Sequence, residues 1–256
     1  MRTLSDLDLG DLDLGDPDLG ARGLRTAVAC WTSYARTIDG GAVHRLSGVD
    51  VAVFTDGPER DVFNNAVLAH GLPAGERRDA VDAMVATYAG AGITAYAAWV
   101  HESDRAMVEE LTGRGFAHQE TTWAMAQPLD LPAAPPDLDL TVGAWDDYLR
   151  VLELPTGLLA KADPADFHVV IGRREGEAVA TGMAYDHEGD CGIYNVGTLV
   201  PARRRGLGAR VVAKLLHDAA VRGCTTATLQ STEMARGVYA GRGFRDLGRI
   251  LEFGPP

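Results

Sequence analysis

Between the apolar stretch CGIYNVGTLV, residues 191–200, and an amphipathic run that begins at Leu207 lies the loop RRRGLG, residues 203–208. Leu207, Val211, Val212, Leu215, Leu216, Ala219 and Ala220 recur at helical spacing, with Arg210, Lys214, Asp218 and Arg222 on the other face. The chain therefore passes from a strand through a glycine loop into a helix, and a second strand, TTATLQ at 225–230, follows. A strand-helix-strand crossover belongs in a sheet with parallel neighbours. The hairpins predicted just upstream, DFHVVIG with EAVATGMAYD across the turn RREG, add antiparallel ones. The expectation is a mixed α/β sheet.

The start of that helix has a chemistry of its own. Unpaired backbone N–H groups and the positive end of the helix dipole converge there, which suits a phosphate. Glycine at 206 and 208 removes the β-carbons that would keep a pyrophosphate off the backbone, and Arg203, Arg204 and Arg205 add charge at the rim. Other glycine-rich phosphate signatures do not match: there is no GxxxxGK[ST], and GxGxxG would need glycine where Val211 stands.

Upstream, the opening DLDLGDLDLGDPDLG repeats a five-residue unit and reads as an acidic, disordered tail over residues 1–22. A calcium loop is disfavoured because leucines interrupt the carboxylates. Globular patterning begins near Leu24. It predicts a helix over LRTAVACWTSYART, strands over AVHRLSG and VDVAVFTD, a helix from Ala74 to Tyr88, a strand over ITAYAAWV, a helix over SDRAMVEELTG and a strand over HQETTWAMA. The proline-rich LDLPAAPPD, residues 129–137, reads as a linker. Domain boundaries are placed at 23–131 and 132–256. Beyond the linker come a strand LTVGAW, a helix DDYLRVLEL, the segments already named, a short helix ending near Tyr239, and two last strands, GFRDLG and RILEF.

The two halves resemble each other. GRGF stands at 113–116 and again at 241–244, each time after a strand and a short helix, which indicates an internal duplication. In that alignment Gly75 persists opposite the later loop, but Leu72 stands for Arg203, Arg77 for Gly208 and Leu111 for Tyr239.

VPARRRGLG after a strand, some way before VYAGRGF, resembles the acetyl-CoA signature of the GNAT superfamily of N-acyltransferases, with Arg203, Gly206 and Gly208 in its fixed places and Tyr239 shortly before Gly-Phe. The resemblance spans residues 138–256. It implies two tandem GNAT-like acyl-CoA N-acyltransferase domains, the N-terminal one degenerate, and acetyl-CoA as co-substrate with no metal. The cofactor would be bound by Leu199, Val200, Arg203, Arg204, Arg205, Gly206, Leu207, Gly208 and Ala209. It further implies direct attack of a neutral amine on the thioester, the free amides of the Gly197–Val200 strand end polarising the carbonyl and Tyr239 protonating the departing thiolate. Ser231-Thr232 stand where many relatives carry a pantetheine-binding asparagine. Asp190, Tyr194 and Glu233 are candidates for the base. Trp99, His101 and Phe63-Asn64-Asn65 are candidates for walling an acceptor pocket.

Composition limits the partners. The net charge of -12 disfavours nucleic acid and anionic membranes and suits a cationic amine; residues 1–20 carry six aspartates against Arg2 alone. Three widely spaced cysteines form neither a disulfide framework nor a CxxC pair, and no apolar run reaches transmembrane length, so a cytoplasmic monomer or homodimer is expected. The leading function is acetylation of a small-molecule primary amine. The alternatives are a protein acetyltransferase and a non-catalytic acyl-CoA sensor.

Overall fold

A computed structural model describes residues 17–55, 64–130, 140–142, 145–155, 161–163 and 166–256. Residues 1–16 of the acidic repeat, 131–137 of the linker and Phe63 lie outside the described residues. The N-terminal half runs α1 (Pro17–Ala35), β1 (Gly41–Leu46), β2 (Val49–Phe54), β3 (Asn65–Leu68), α2 (Ala74–Gly90), β4 (Ala97–His101), α3 (Arg105–Gly113) and β5 (Ala117–Pro128). Then come β6 (Leu140–Val142), α4 (Trp145–Val151), β7 (Val170–Arg174), β8 (Glu177–His187), β9 (Asp190–Thr198), α5 (Leu207–Arg222), β10 (Thr226–Ser231), α6 (Glu233–Ala240) and β11 (Arg245–Gly254).

Several boundaries depart from the sequence reading. α1 begins at Pro17, inside the segment expected to be tail, because Leu19 is buried and Gly23 lies against Thr228 of β10; contacts from distant strands order what composition alone does not. β3 was not anticipated: Asn64 and Asn65 look like loop residues, yet both are buried, and the Asn64 side chain accepts from the Phe54 amide at 2.8 Å. LTVGAW divides between β6 and the start of α4. The two strands expected at the C-terminus are one, β11, with a register shift between Asp246 and Arg249 where Gly248 has φ 104°.

The described strands form one sheet in the order β1-β2-β3-β4-β11-β5-β10-β9-β8-β7-β6. The parallel pairs are β3 with β4 and β9 with β10. Thus the sheet is mixed, as expected, but it is not two sheets divided at the linker. β5 leaves the N-terminal half to pair with β10, while β11 returns from the C-terminal half to pair with β4, and the two pair with each other at the centre. The segments β3-α2-β4-α3-β5 and β9-α5-β10-α6-β11 share one order of elements.

Alternation along β8 assigns the helices to faces. Met183 packs in the cluster beneath α1 and α4, where the Tyr34 hydroxyl reaches its sulfur at 2.9 Å, and the next residue, Ala184, packs beneath α5. α5 approaches closely because residue 182 is glycine: a β-carbon there would lie 2.8 Å from Val211. On the other half α2 covers Val51 and Val53 of β2 with Ala80, Val81, Met84 and Tyr88. α1 crosses the opposite face and touches β1, β2, β5, β8, β9 and β10, spanning both halves.

Candidate functional site

β9 and β10 run parallel and paired only as far as Gly192 and Thr228. Beyond that they separate, so residues 193–198 face a gap on their β10 side while they still pair with β8 on the other. Within this stretch Asn195 has φ 54°, and the register with β8 advances from Tyr194–Met183 to Gly197–Thr181, a bulge that inserts one residue. The Asn195 amide donates to the Tyr148 hydroxyl at 2.7 Å, which holds the bulge against α4. Nothing in the residue pattern marks this bulge, although asparagine tolerates the left-handed backbone better than most side chains.

The loop then closes on the end of the strand. After a 3-10 turn, Val200–Ala202, the Arg203 Nε donates to the Thr198 carbonyl at 3.0 Å. Arg204 at φ 58° and Gly206 at φ 75° turn the chain left-handed, and Gly206 is the N-cap of α5 with no side-chain cap bond. The first intrahelical amide bond is Arg210 N–H to the Gly206 carbonyl at 3.1 Å. The amides of Leu207, Gly208 and Ala209 are therefore free of helix partners, at the positive end of a 16-residue helix. A β-carbon on Gly208 would sit 3.6 Å from the Thr198 hydroxyl, in ordinary contact. Glycine at 208 is thus not demanded by the protein's own packing. At 206 the backbone demands it.

Of the other residues expected to hold a cofactor, Leu207 packs against the cluster beneath α5, and Arg204 and Arg205 are exposed at the rim. Leu199 and Val200 join the strand end to the loop. The Leu199 amide already donates to the Val179 carbonyl at 2.9 Å, and Val200 is 70% exposed. The backbone free to meet a ligand is that of residues 193–198.

Tyr239, on α6, packs in the same buried cluster as Leu207 of the loop, Ile193 of β9 and Leu229 of β10, the last two being the first residues past the point of divergence. Its ring meets Phe244 edge-on at 5.8 Å, and burial pushes its phenol up to about 12. A phenol in that state stays protonated at neutral pH.

The three candidate bases part company. Asp190 is fully buried, and its carboxylate accepts from the hydroxyls of Thr26 (2.7 Å), Thr226 (2.8 Å) and Thr228 (2.7 Å), so it ties α1 to β10. Burial, with the neighbouring Cys30 and Asp190 adding to it, raises the Tyr194 phenol well above its ordinary range, and its oxygen has no hydrogen-bond partner among the described residues. Glu233 stays accessible and accepts from the Trp123 indole at 2.6 Å. Trp123 belongs to β5, so the N-terminal half supplies a wall here; the Arg236 and Arg249 guanidiniums lie 3.9 and 4.7 Å from its ring. Sequence reasoning missed Trp123, since only the pairing of β5 with β10 carries it across. Ser231 is buried and donates to the Thr232 carbonyl at 2.8 Å. Trp99 and His101 line a cavity that extends to Thr228, Leu229 and Gln230 of β10, whereas Asn64 and Asn65 are buried beside β2.

The corresponding helix start in the first half differs. α2 is capped by Pro73 at φ -55°, and the left-handed glycine of this turn, Gly71 at φ 74°, stands two residues before the cap. Arg77 folds back over it, donating to the Leu72 carbonyl at 3.1 Å with its Nε 3.9 Å from Glu110. Leu111, opposite Tyr239, is fully buried.

The profile of the Acetyltransferase (GNAT) family matches residues 130–244. Among solved structures, a GCN5-related N-acetyltransferase from Kribbella flavida superposes with TM-score 0.69 at 21% identity, covering 91% of this chain and 95% of that one. One from Sphaerobacter thermophilus gives 0.57 at 15%, covering 91% and 92%. A glucosamine N-acetyltransferase region of a fungal multi-domain GH3 β-N-acetylglucosaminidase gives 0.56 at 14%, covering 91% of this chain and 37% of that one. No curated protein matches the sequence. At these identities the structural likeness speaks for the fold alone; the profile match makes residues 130–244, 115 of the 256 in the chain, similar to the acetyltransferase family.

Proposed function

We propose that the chain is an N-acetyltransferase that moves acetyl from acetyl-CoA to a primary amine of a small molecule. It is built from two GNAT-like halves, 23–131 and 132–256, of which the second alone binds the cofactor. The observation that carries the reading is the cradle: Gly206 turns the chain so that three free amides at the start of α5 face the same opening as the unpaired backbone of 193–198. Those amides and Arg203–Arg205 suit a pyrophosphate, and the opened edge of β9 suits an amide-containing arm. Acetyl-CoA supplies the activated acyl group; the chain's own residues orient it and handle protons. Tyr239 delivers its proton to the leaving sulfur. Glu233 is the candidate base that retains an accessible carboxylate.

The contrast between the two helix starts supports a degenerate first half, because Arg77 fills the position that the cradle leaves open. The net charge of -12 supports a cationic acceptor over a nucleic acid. The test is a panel of amines, amino sugars among them, incubated with acetyl-CoA while free thiol is followed. Turnover of a small amine is expected. Turnover confined to lysine peptides would make the chain a protein acetyltransferase, and acetyl-CoA binding without any turnover would make it a sensor.

A further inference from the structure

A cavity of about 750 Å³ lies beneath α1, walled by both halves. On one side it reaches Thr228, Leu229 and Gln230, where β10 parts from β9. On the other it reaches β4, three strand intervals away in the order β4-β11-β5-β10, or roughly 14 Å. Leu24, Val28 and Ile250 make its middle apolar, and Trp99 stands among them with its indole N–H unpartnered among the described residues.

The far end is polar and of one kind. The His101 Nε2 lies 3.0 Å from the Leu247 carbonyl, so it carries the proton, and Nδ1 is left as the acceptor for the Ser103 hydroxyl at 2.7 Å and the Ser103 amide at 3.3 Å. Having spent its one hydrogen, the Ser103 oxygen accepts from His70 Nε2 at 2.9 Å. What these groups still offer is lone pairs: one on Ser103 and one on His70 Nδ1. Ser103 and His70 are exposed, so this end is a mouth. The Asp50 carboxylate, also in the wall, makes no side-chain hydrogen bond among the described residues. Arg25, a cation in the same wall, is already engaged.

We propose that this cavity holds the acceptor, and that the acceptor is a diamine: one amine reaches the divergence of β9 and β10, an apolar chain lies along Trp99 and Ile250, and a second ammonium is held at the mouth by Ser103, His70 and Asp50. Acceptors of hydrogen bonds beside a carboxylate select a cationic donor, and an aromatic wall favours the same charge. Partial burial raises the Asp50 carboxyl against the pull of Arg45, which stands opposite it in the β1–β2 register. The assignment rests on the acetyltransferase reading, but the binding it describes does not need turnover.

The test uses the full-length chain, with diaminohexane titrated calorimetrically and then compared as a substrate with hexylamine and aminohexanol. Diaminohexane is expected to bind and to show a kcat/KM about 10-fold above that of hexylamine, the gain of one charge-assisted contact. Asp50→Asn and Ser103→Ala should bring that ratio to about 1. Gly20→Phe supplies an independent check, since Gly20 lines the cavity inside α1 and a β-carbon there meets nothing within 4 Å. It should fill the space, raise KM for both amines, and leave acetyl-CoA affinity intact. Hexylamine or aminohexanol matching the diamine, or Gly20→Phe leaving KM unchanged, would overturn the proposal. If no amine is turned over yet Gly20→Phe abolishes diamine binding, the acetyl-transfer reading fails while the cavity site stands.

Discussion

Replacing Tyr239 with phenylalanine removes one hydroxyl and keeps the ring against Phe244. Because proton donation to sulfur matters only as the bond breaks, the variant should bind acetyl-CoA as before and lose about 10- to 1000-fold in kcat. Single-turnover rates and calorimetry together check this; a parental rate would leave Tyr239 with packing alone. The phenol's shift also predicts a stability change. Its value is 10.0 in the unfolded chain and about 12 in the folded one, so the unfolded state loses its proton first. The contribution is complete below 10.0 and declines as pH rises toward 12, a decline that Tyr239→Phe should reduce in alkaline denaturation curves. The two loop glycines separate in a similar way. Gly206→Ala forces a side chain into φ 75° and should cost about 1–2 kcal/mol of stability. A β-carbon at 208 fits, so Gly208→Arg should fold with little loss yet fail to bind acetyl-CoA. Unchanged affinity in that folded variant would remove the cradle from consideration.

Among the elements, α1 decides more than its place at the start of the chain suggests. Its Thr26 seals Asp190, its Arg22 reaches Thr226 at 3.3 Å, and Leu19 is 2% exposed. Removing residues 1–16 should leave melting and activity unchanged. Removing residues 1–22 should cost about 2–4 kcal/mol from lost burial alone, lowering Tm by roughly 5–15 °C. Thermal melts of the two truncations distinguish these outcomes, and equal Tm values would mean that the first turn of α1 contributes nothing. β5 is the other such element. It pairs with β10 along Thr226–Ser231 and carries Trp123 to Glu233, so the second half cannot complete its sheet with its own strands.

For the whole molecule, the exchange of β5 and β11 makes the halves interdependent while the cradles make them unequal. Residues 132–256 expressed alone should be insoluble or molten, because the edge of β10 and the apolar flank of β11 lose their partners. A cooperative melt of that fragment would contradict this. The intact chain should bind one acetyl-CoA, since α2 is capped by proline and overlaid by Arg77. A calorimetric stoichiometry of two would show that the first half retained its site. None of the described helices is long and apolar enough to cross a membrane.

The sequence by itself determined what depends on near neighbours along the chain. The 3.6-residue period of α5 and the free amides at its start are consequences of local geometry and were legible in the sequence, whereas the left-handed turn at Gly206, which separates it from Gly208, was not read there. The mixed sheet followed from a crossover placed after hairpins. Tertiary structure alone decided which strand completes which half, because pairing of β5 with β10 joins residues about a hundred apart and no local pattern encodes a partner. It alone showed that Asp190, an apparent base, is a buried tie, since its three hydroxyl donors come from α1 and β10. It alone assembled the cavity beneath α1 from both halves. The division has one physical reason: backbone conformation is chosen within a few residues, whereas a carboxylate's role is set by whatever the finished fold brings within hydrogen-bonding distance of it.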